Sequence, residues 1–565
     1  MILGLIWSII AALTFLFSGL MVNRLFFKEK DYHKIFIIGI VSYNTLCSAL
    51  HFFIPLTYIV LVSTLLITTI VLVGSFKKYP PLQLRSKWKI VTLALFIFLF
   101  AFYLIAKVAH WDAYLYYNQS VRWFQHYPLI KGIGNLYPKI GFNFNSFTLI
   151  ATTVLPHKPA FYVFNYILLI FFVSYLLEKV IIRKDRYLAL CGAFFMVFSI
   201  TFLKVNISSP GPDFAIYILT SFLGIELYLQ KEITHQESRF FLMIACYLMT
   251  IKLSIFPVSL VILYIYRNSL KSEFSFILCV LILIPGVWFI RGVFMSGQLI
   301  YPYPPLYSDL LPWAVDSGQV KLEFQSIIGS GRSPKINVLQ SANESFTEWF
   351  PRWFMLQWND RVRIIGDTGA IKINLIHFGL YLTALVGIIG ASLFKQNRIG
   401  KSFKSKKMVL VTGLFLSLGY WLLTAPDFRY VAAIFYVLFF CIHLQFYEQV
   451  SNRGIRIAVT TLLTAAIFLR TAGLAYTFIY QDRFNLNKAT VFYPKGMLGI
   501  NGTVERLKPP VEITIAEMNF HYYYNDTIEK TGQQSDEFFP CIASPEHVIF
   551  QGKKITDGIL DGDAH

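Results

Sequence analysis

Apolar runs of about twenty residues, the length a helix needs to cross a bilayer, recur along this chain from its first residues to about position 480. They fall at about 1–23, 34–54, 56–74, 89–108, 160–178, 187–204, 212–229, 274–293, 372–394, 408–424, 428–447 and 456–480, and two shorter runs, about 239–250 and 253–266, flank Lys252. Charge is scarce: 14% of the 565 residues are charged against 56% hydrophobic, and the mean hydropathy is +0.56. Such a chain cannot be an ordinary soluble domain. The expected fold is an all-α polytopic membrane protein of about 12–14 spans. The first run has no basic stretch before it and no small-residue cleavage site, and reads as a retained first helix.

The net charge of +19 would suggest nucleic acid in a soluble protein. Here the Lys and Arg residues sit in short loops, with no basic stripe, RNA-binding motif or zinc spacing, so nucleic acid is excluded as a partner. They cluster in alternate loops: Arg24 to Lys34, Lys77 to Lys89, Lys179 to Arg186, Lys231 to Arg239, Arg267 to Lys271, Lys395 to Lys407 and Arg453 to Arg456. The positive-inside rule makes those loops cytoplasmic. The remaining loops, His110 to His157, Ser208 to Asp213, Gln298 to about Ala370, Ala425 to Arg429 and the tail after about Tyr480, then share the opposite face. Five of the six cysteines lie in apolar runs and only Cys541 in a polar one, so no disulfide framework or metal site follows.

That face holds every residue suited to chemistry. The stretch from His110 to Thr148 reads as two short amphipathic helices on a membrane face, with Trp111, Tyr114, Leu115, Val121, Trp123 and Phe124 apolar and Pro128, Gly132 and Gly134 as breakers. Asp112 opens it, where an apolar run ends; it is either a helix cap or a carboxylate beside a low-dielectric groove. Asp213, in SSPGPDF, has the same two readings. Lys252, inside MTIKLSIFP, needs a partner or an aqueous cavity, whereas Arg291 can snorkel to the headgroups and Arg429 can pair locally with Asp427. The segment after Gln298 mixes Pro, Gly and aromatic residues and is expected to lie over the groove as a cap, anchored in the interface by Trp349, Trp353 and Trp358. The tail suggests short strands at Val511 to Ile515 and Val548 to Phe550.

Carboxylates and cations on one outer face suit transfer of a sugar from a lipid-linked phosphate: a carboxylate takes the proton of the acceptor hydroxyl, and cations or a divalent metal (Mg or Mn, on Asp112 and Asp213) stabilise the leaving phosphate. Neither GxGxxG after a strand nor GxxxxGK[ST] occurs, which argues against a nucleotide-sugar or ATP-driven mechanism.

Motifs in order from about 110 to 430 carry a resemblance: Asp112 with Leu115-Tyr116-Tyr117, Trp123 to Ser146, Thr250-Ile251-Lys252-Leu253-Ser254, Trp288 to Pro302, and Ala425-Pro426-Asp427-Phe428-Arg429. Together they resemble the LIC_10190-type family of bacterial multi-spanning membrane proteins, related to the GT-C glycosyltransferases. Tyr117 stands where that family often has His, and the helices before about residue 89 exceed the simplest GT-C layout. The resemblance implies a GT-C-like transmembrane bundle with leading helices over 1–88, a membrane module over 89–480 with outer loops at 109–159 and 294–371, and a non-cytoplasmic tail or small domain over 481–565. It further implies Asp112 as general base, with direct displacement and inversion. Asp213 is the expected second carboxylate, and Lys252, Arg291, Arg429, Arg122, Lys139 and Asn143 are the expected substrate or phosphate contacts. The expected activity is transfer from a polyprenyl-phosphate-linked sugar donor to a glycan, lipid or protein acceptor at the outer face of a bacterial cytoplasmic membrane. A polysaccharide polymerase or ligase, and a transporter or flippase for a lipid-linked glycan, are the alternatives.

Overall fold

The computed structural model describes residues 2–74, 112–154, 162–181, 186–230 apart from 208, 234–332, 337–358, 401–449 and 452–476, with short stretches between 497 and 561. The chain is mostly helical, and among the described residues six helices are long and apolar enough to cross a membrane: Ile6–Phe27, Tyr32–Leu50, Pro212–Leu229, Phe274–Ser296, Lys406–Thr424 and Arg453–Gly473. Shorter apolar helices are Tyr58–Gly74, Tyr187–Ile200, Leu253–Ile265 and Ala432–Tyr447. This is an all-α membrane protein by composition and helix length. The expected spans at 89–108 and 372–394 lie outside the described residues.

In chain order the helices are α1 (Ile2–Val22), α2 (Tyr32–Leu50), α3 (Tyr58–Gly74), α4 (Asn118–His126), α5 (Ser146–Thr153), α6 (Val163–Leu176), α7 (Arg186–Asn206), α8 (Pro212–Leu229), α9 (His235–Ile251), α10 (Phe256–Ile265), α11 (Phe274–Leu281), α12 (Val287–Ser296), α13 (Ser317–Arg332), α14 (Val338–Asn343), α15 (Phe346–Trp358), α16 (Lys401–Thr424), α17 (Ala432–Gln449) and α18 (Arg453–Tyr476). Pro285 lacks the N–H that would continue the ladder, and the chain widens into a π turn at Ile282–Gly286 that joins α11 to α12. The α1–α2 pair packs backbone to backbone. A Cβ on Gly19 would stand 2.1 Å from the Ile35 carbonyl oxygen, and one on Gly39 1.7 Å from that of Phe15, so only glycine lets these helices approach.

Polar contacts sort the helix ends into two sets. At one, the Tyr266 hydroxyl donates to Gln230 at 2.8 Å, Lys406 pairs with the same Gln230, and Ser238 meets Ser269 at 3.0 Å. Lys34 lies 3.4 Å from both Glu226 and Glu237, and Arg239 2.6 Å from Glu273. Residues of four expected cytoplasmic loops or their borders thus meet at one end of the bundle. The contacts also show that α9 and α10 run antiparallel, because the end of α10 returns to the start of α9; Lys252 is the turn between them, in extended conformation at φ −159°. The other set gathers the start of α8, this turn, and the junction of α16 and α17.

The first outer segment differs from the expected pair of surface helices. It holds a π turn at Ala113–Tyr117, α4, a single turn at Ile133–Leu136, a 3-10 turn at Pro138–Gly141, and α5. Val121, Trp123 and Phe124 are buried within the protein rather than turned to lipid, because α4 packs on α5. Arg291 likewise does not snorkel: it is fully buried, with Nη1 2.8 Å from His51 Nδ1, Nε donating to Asn143 Oδ1 at 3.3 Å, and the guanidinium 5.1 Å from the Phe124 ring centre. Since His51 Nδ1 accepts from Arg291, its Nε2 carries the hydrogen and donates to the Tyr127 carbonyl at 3.2 Å. Asn143 also donates to the Trp288 carbonyl at 2.6 Å. The guanidinium is therefore a pin between α2, the first outer segment and α12.

The long outer segment folds into α13, α14 and α15 and leans on the α16–α17 junction. Trp353 donates to the Pro426 carbonyl at 3.1 Å. Trp349, expected as an interfacial anchor, is 1% exposed and packs against Phe346, Phe350 and Trp353. In the tail, β1 (Met497–Leu498) pairs with β2 (Val504–Glu505), and β3 (Val511–Ile515) pairs antiparallel with β4 (Met518–Tyr522), which pairs parallel with β5 (Cys541–Ile542). A last hairpin joins β6 (Val548–Phe550) to β7 (Ile559–Asp561). This hairpin docks on the first outer segment through Ile559 N, which donates to the Lys131 carbonyl at 2.9 Å, and just before β5 Phe539 stacks 4.5 Å from His126.

Two outcomes follow for the purified protein. Gly39→Val should lower the unfolding midpoint, at a cost of about 1–3 kcal/mol or more for overpacking, whereas Gly419→Val, with nothing within 4 Å of its Cβ, should not; equal midpoints for the two would refute the close α1–α2 contact. Arg291→Leu leaves His51 Nδ1 and Asn143 Oδ1 without donors, about 1–3 kcal/mol for each buried group. It should lower the unfolding midpoint, and an unchanged midpoint would refute the pin.

Candidate functional site

Asp112, Asp213, Lys252 and Arg429, four of the residues picked out in the sequence, meet at one end of the bundle. Arg429 Nη1 donates to Asp112 Oδ2 at 2.7 Å across 317 positions of sequence. Asp112 begins the π turn, yet its side chain makes no capping hydrogen bond, so the helix-cap reading fails. The Tyr117 hydroxyl donates to the same carboxylate oxygen at 3.4 Å.

Asp213 follows Gly211 and Pro212 in the first turn of α8, where the helix dipole favours a carboxylate. Its Oδ1 pairs with Lys252, and the buried Oδ2 accepts no hydrogen bond among the described residues. Lys252 is carried there by the break after α9 and lies 4.0 Å from the Tyr430 ring centre. The ring next to Arg429 thereby joins the two ion pairs into one cluster. The local pair expected from the sequence is also present. Asp427 Oδ1 accepts from the Arg429 backbone N–H and Oδ2 from Nε, both at 2.9 Å.

Each arm of the cluster is set by neutral hydrogen bonds. Asn145 N donates to the Thr250 carbonyl at 3.0 Å and its side chain to the Thr250 hydroxyl at 3.0 Å, which ties the first outer segment to the residues just before Lys252. Asn165 donates to the Ser209 carbonyl at 2.6 Å and fixes the loop that leads to Asp213. A Cβ on Gly211 would stand 2.4 Å from the Tyr117 ring, so glycine lets that ring close over the loop. The Trp421 indole donates to the Asp427 carbonyl at 2.7 Å.

Three carboxylates (Asp112, Asp213, Asp427) face two cations (Lys252, Arg429), a formal excess of one negative charge. Burial opposes the charge on Arg429, but Asp427 and then Asp112 outweigh it and hold the guanidinium above its usual range. Burial, with the nearby carboxylates adding to it, pushes the hydroxyls of Tyr116, Tyr117 and Tyr430 well up, so at neutral pH they are donors and not phenolates.

The remaining expected contacts lie elsewhere. Arg291 and Asn143 form the pin described above. Lys139 meets both oxygens of Glu323 at 2.9 Å and joins the first outer segment to α13. Arg122 is half-buried on α4 and makes no ion pair among the described residues. A resident divalent metal on Asp112 and Asp213 does not fit: each carboxylate faces a cationic side chain, and no group of three or more His, Cys, Asp or Glu among the described residues could hold one. Reading the sequence alone did not place Asp427, Tyr430, Tyr116 and Asn145 among the site residues, although Asp427 was read as the local partner of Arg429. The first two flank Arg429 in APDFRY and the last stands two residues after Asn143 in FNFNSF, so the motifs held the signal.

No curated protein and no solved structure matches the chain. A family model does match, over residues 1–436, a stretch that contains the whole cluster. The chain belongs to the family described as "Domain of unknown function (DUF8201)".

Proposed function

We propose that the protein is a membrane glycosyltransferase with a GT-C-like bundle, and that it moves a sugar from a polyprenyl-phosphate-linked donor to a glycan, lipid or protein hydroxyl on the non-cytoplasmic face of the bacterial cytoplasmic membrane. The observation that carries this reading is the meeting of Asp112, Asp213, Lys252 and Arg429 from four separate stretches of chain. Asp112 takes the proton as the acceptor oxygen attacks the anomeric carbon. The bond from that carbon to the phosphate oxygen breaks, and its electron pair leaves on the phosphate. Lys252 and Arg429 stabilise the charge that develops there. One displacement inverts the anomeric centre.

The position of the cluster favours an enzyme over a flippase. The eighteen residues of α8 separate Asp213 from the Gln230 end by about 27 Å at 1.5 Å per residue. Lys252 therefore stands at the end of a full span, whereas a carrier site built on broken helices lies near the bilayer midplane.

Asp112→Asn in protein that inserts and folds should lower transfer by about 10²- to 10⁴-fold, the usual worth of a general base, whereas Lys271→Ala, exposed at the opposite end, should leave it unchanged. Product formation is followed in proteoliposomes loaded with lipid-linked donor. An unchanged rate for Asp112→Asn removes Asp112 as base. NMR of the product should show the anomeric configuration opposite to that of the donor. Retention would contradict direct displacement, and movement of the lipid-linked sugar without a new glycosidic bond would replace the enzyme with a carrier.

A further inference from the structure

The chain leaves α12 at its last turn and returns to the same turn. Gly297, at φ +70°, ends the helix, and a Cβ there would stand 2.4 Å from the Ala314 Cα. On the way back the Trp313 indole donates to the Val293 carbonyl at 2.9 Å, and Val315 N donates to the Ser296 carbonyl at 3.0 Å. The buried Gln298 amide closes the excursion from within: Nε2 donates to the Ser308 carbonyl at 2.7 Å, and Oε1 accepts from Ser308 N at 2.8 Å. Pro302, Pro304, Pro305 and Pro312 stiffen it further. Residues 298–313 therefore form a closed loop rooted on the end of a membrane-length helix.

The depth of that root follows from the span. Phe274–Ser296 is long and apolar enough to cross, and Glu273, paired with Arg239, marks its other end. From there about twenty residues, at about 1.5 Å each, cross a hydrocarbon core of about 30 Å and reach the neighbourhood of Gly292. The loop folds back to this level, since a Cβ on Gly292 would stand 3.1 Å from the Leu299 carbonyl oxygen. It thus lies where hydrocarbon gives way to headgroups.

The loop has an inner and an outer side. Inward, the buried Tyr301 ring leaves 3.2 Å for a Cβ on Gly141 and stands 5.8 Å from the Phe142 ring, both in the first outer segment. Outward, Leu299 and Leu306 are each 45% exposed, Leu310 is 87% exposed, and Tyr303 is exposed beside them. Asp309 is the single charge in 298–313. Exposed leucine and tyrosine with so little charge fit poorly in water and well in a membrane interface. The tryptophans expected to anchor this part of the chain do not compete for the role, because Trp349 is buried and Trp353 is bonded to Pro426.

We propose that loop 298–313 is a membrane-inserted hook: Leu299, Leu306 and Leu310 enter the lipid leaflet on the cluster's side of the bundle, continuous with the lipid-facing surface of α12. Asp309 stays among the headgroups and limits the depth. Through Tyr301 the leaflet then steadies the first outer segment, which carries Asp112.

The test is nitroxide labelling of the full chain in proteoliposomes. Cys279 and Cys541 are replaced by alanine, the four cysteines buried in apolar helices are kept, and one cysteine at a time is introduced as Leu299→Cys, Leu306→Cys or Leu310→Cys. Lys271→Cys, exposed at the opposite end, is the aqueous reference. Oxygen concentrates in hydrocarbon and a nickel chelate stays in water, so collision with each reports depth. The loop labels should relax more with oxygen than with nickel, the reverse of Lys271→Cys, at a depth of about 5–10 Å in the interface. Unfolding midpoints should match the unlabelled parent, because only exposed side chains change. Leu310→Cys decides the matter. Nickel dominating at that position would put the loop in water and overturn the proposal. Shielding from both reagents would overturn it equally, and spin–spin broadening would then make a second copy of the chain the cover.

Discussion

A lysine at the end of an apolar helix and an aspartate at the start of its neighbour are each costly to bury alone, and the pairing of Lys252 with Asp213 is the constraint on which the rest of the site depends. It requires α9 to end where α8 begins, and hence a turn at Lys252 in place of a continued helix. That turn makes α9 and α10 an antiparallel hairpin and sends the chain back toward the Gln230 end. Losing one partner of such a buried pair costs about 3–5 kcal/mol, because the other charge stays behind. The pair thus fixes a register that the apolar side chains, which slide on one another at little cost, could not fix alone.

The same reasoning explains the division of charge in the bundle. Lys34 with Glu226 and Glu237, and Arg239 with Glu273, lie at one end; Asp112, Asp213, Asp427, Lys252 and Arg429 lie at the other. Between the two ends of α8 lie about 27 Å of mostly apolar side chains. A membrane imposes this pattern, since charges are tolerated where water or a partner can reach them. At the Gln230 end Lys34 and Arg239 face three glutamates, and the Tyr175 hydroxyl donates to Glu226 at 2.9 Å. At the other end the buried Oδ2 of Asp213 has no donor among the described residues.

Hydropathy made the apolar helices legible, and the alternation of basic loops grouped residues that the structure brings to one end, because a bilayer leaves few other solutions. The strands at Val511–Ile515 and Val548–Phe550 were also legible from their β-branched and aromatic content. What the sequence did not disclose was which apolar face meets protein and which meets lipid. Trp123 and Trp349 looked like interfacial aromatics and are buried, since a tryptophan's neighbours in space, Phe539 for one and Phe346 for the other, are set by folds of the chain that periodicity does not report. Arg291 misled for the same reason. A snorkelling arginine and a buried one occupy the same place at the end of a span, and the difference lies in His51 and Asn143, far away in sequence. Arg429 had a local explanation in Asp427, two residues before it. That local pair is real, and the longer reach of Arg429 to Asp112 was invisible without the fold.

The run FNFNSF shows how a motif can hold a site together without reacting in it. Asn143 and Asn145, two positions apart, serve two different helices: the first exchanges hydrogen bonds with Trp288 and Arg291 on α12, the second with Thr250 at the end of α9. Neither touches Asp112 or Arg429 among the described contacts. Their work is to set the first outer segment between two spans, so that Asp112 arrives beside a guanidinium that comes from the α16–α17 junction. An amide suits this task better than a carboxylate, since it donates and accepts at once and brings no charge into a cluster whose balance decides what it can bind. FNFNSF is therefore scaffold for the cluster, holding the first outer segment to α12 and to the end of α9.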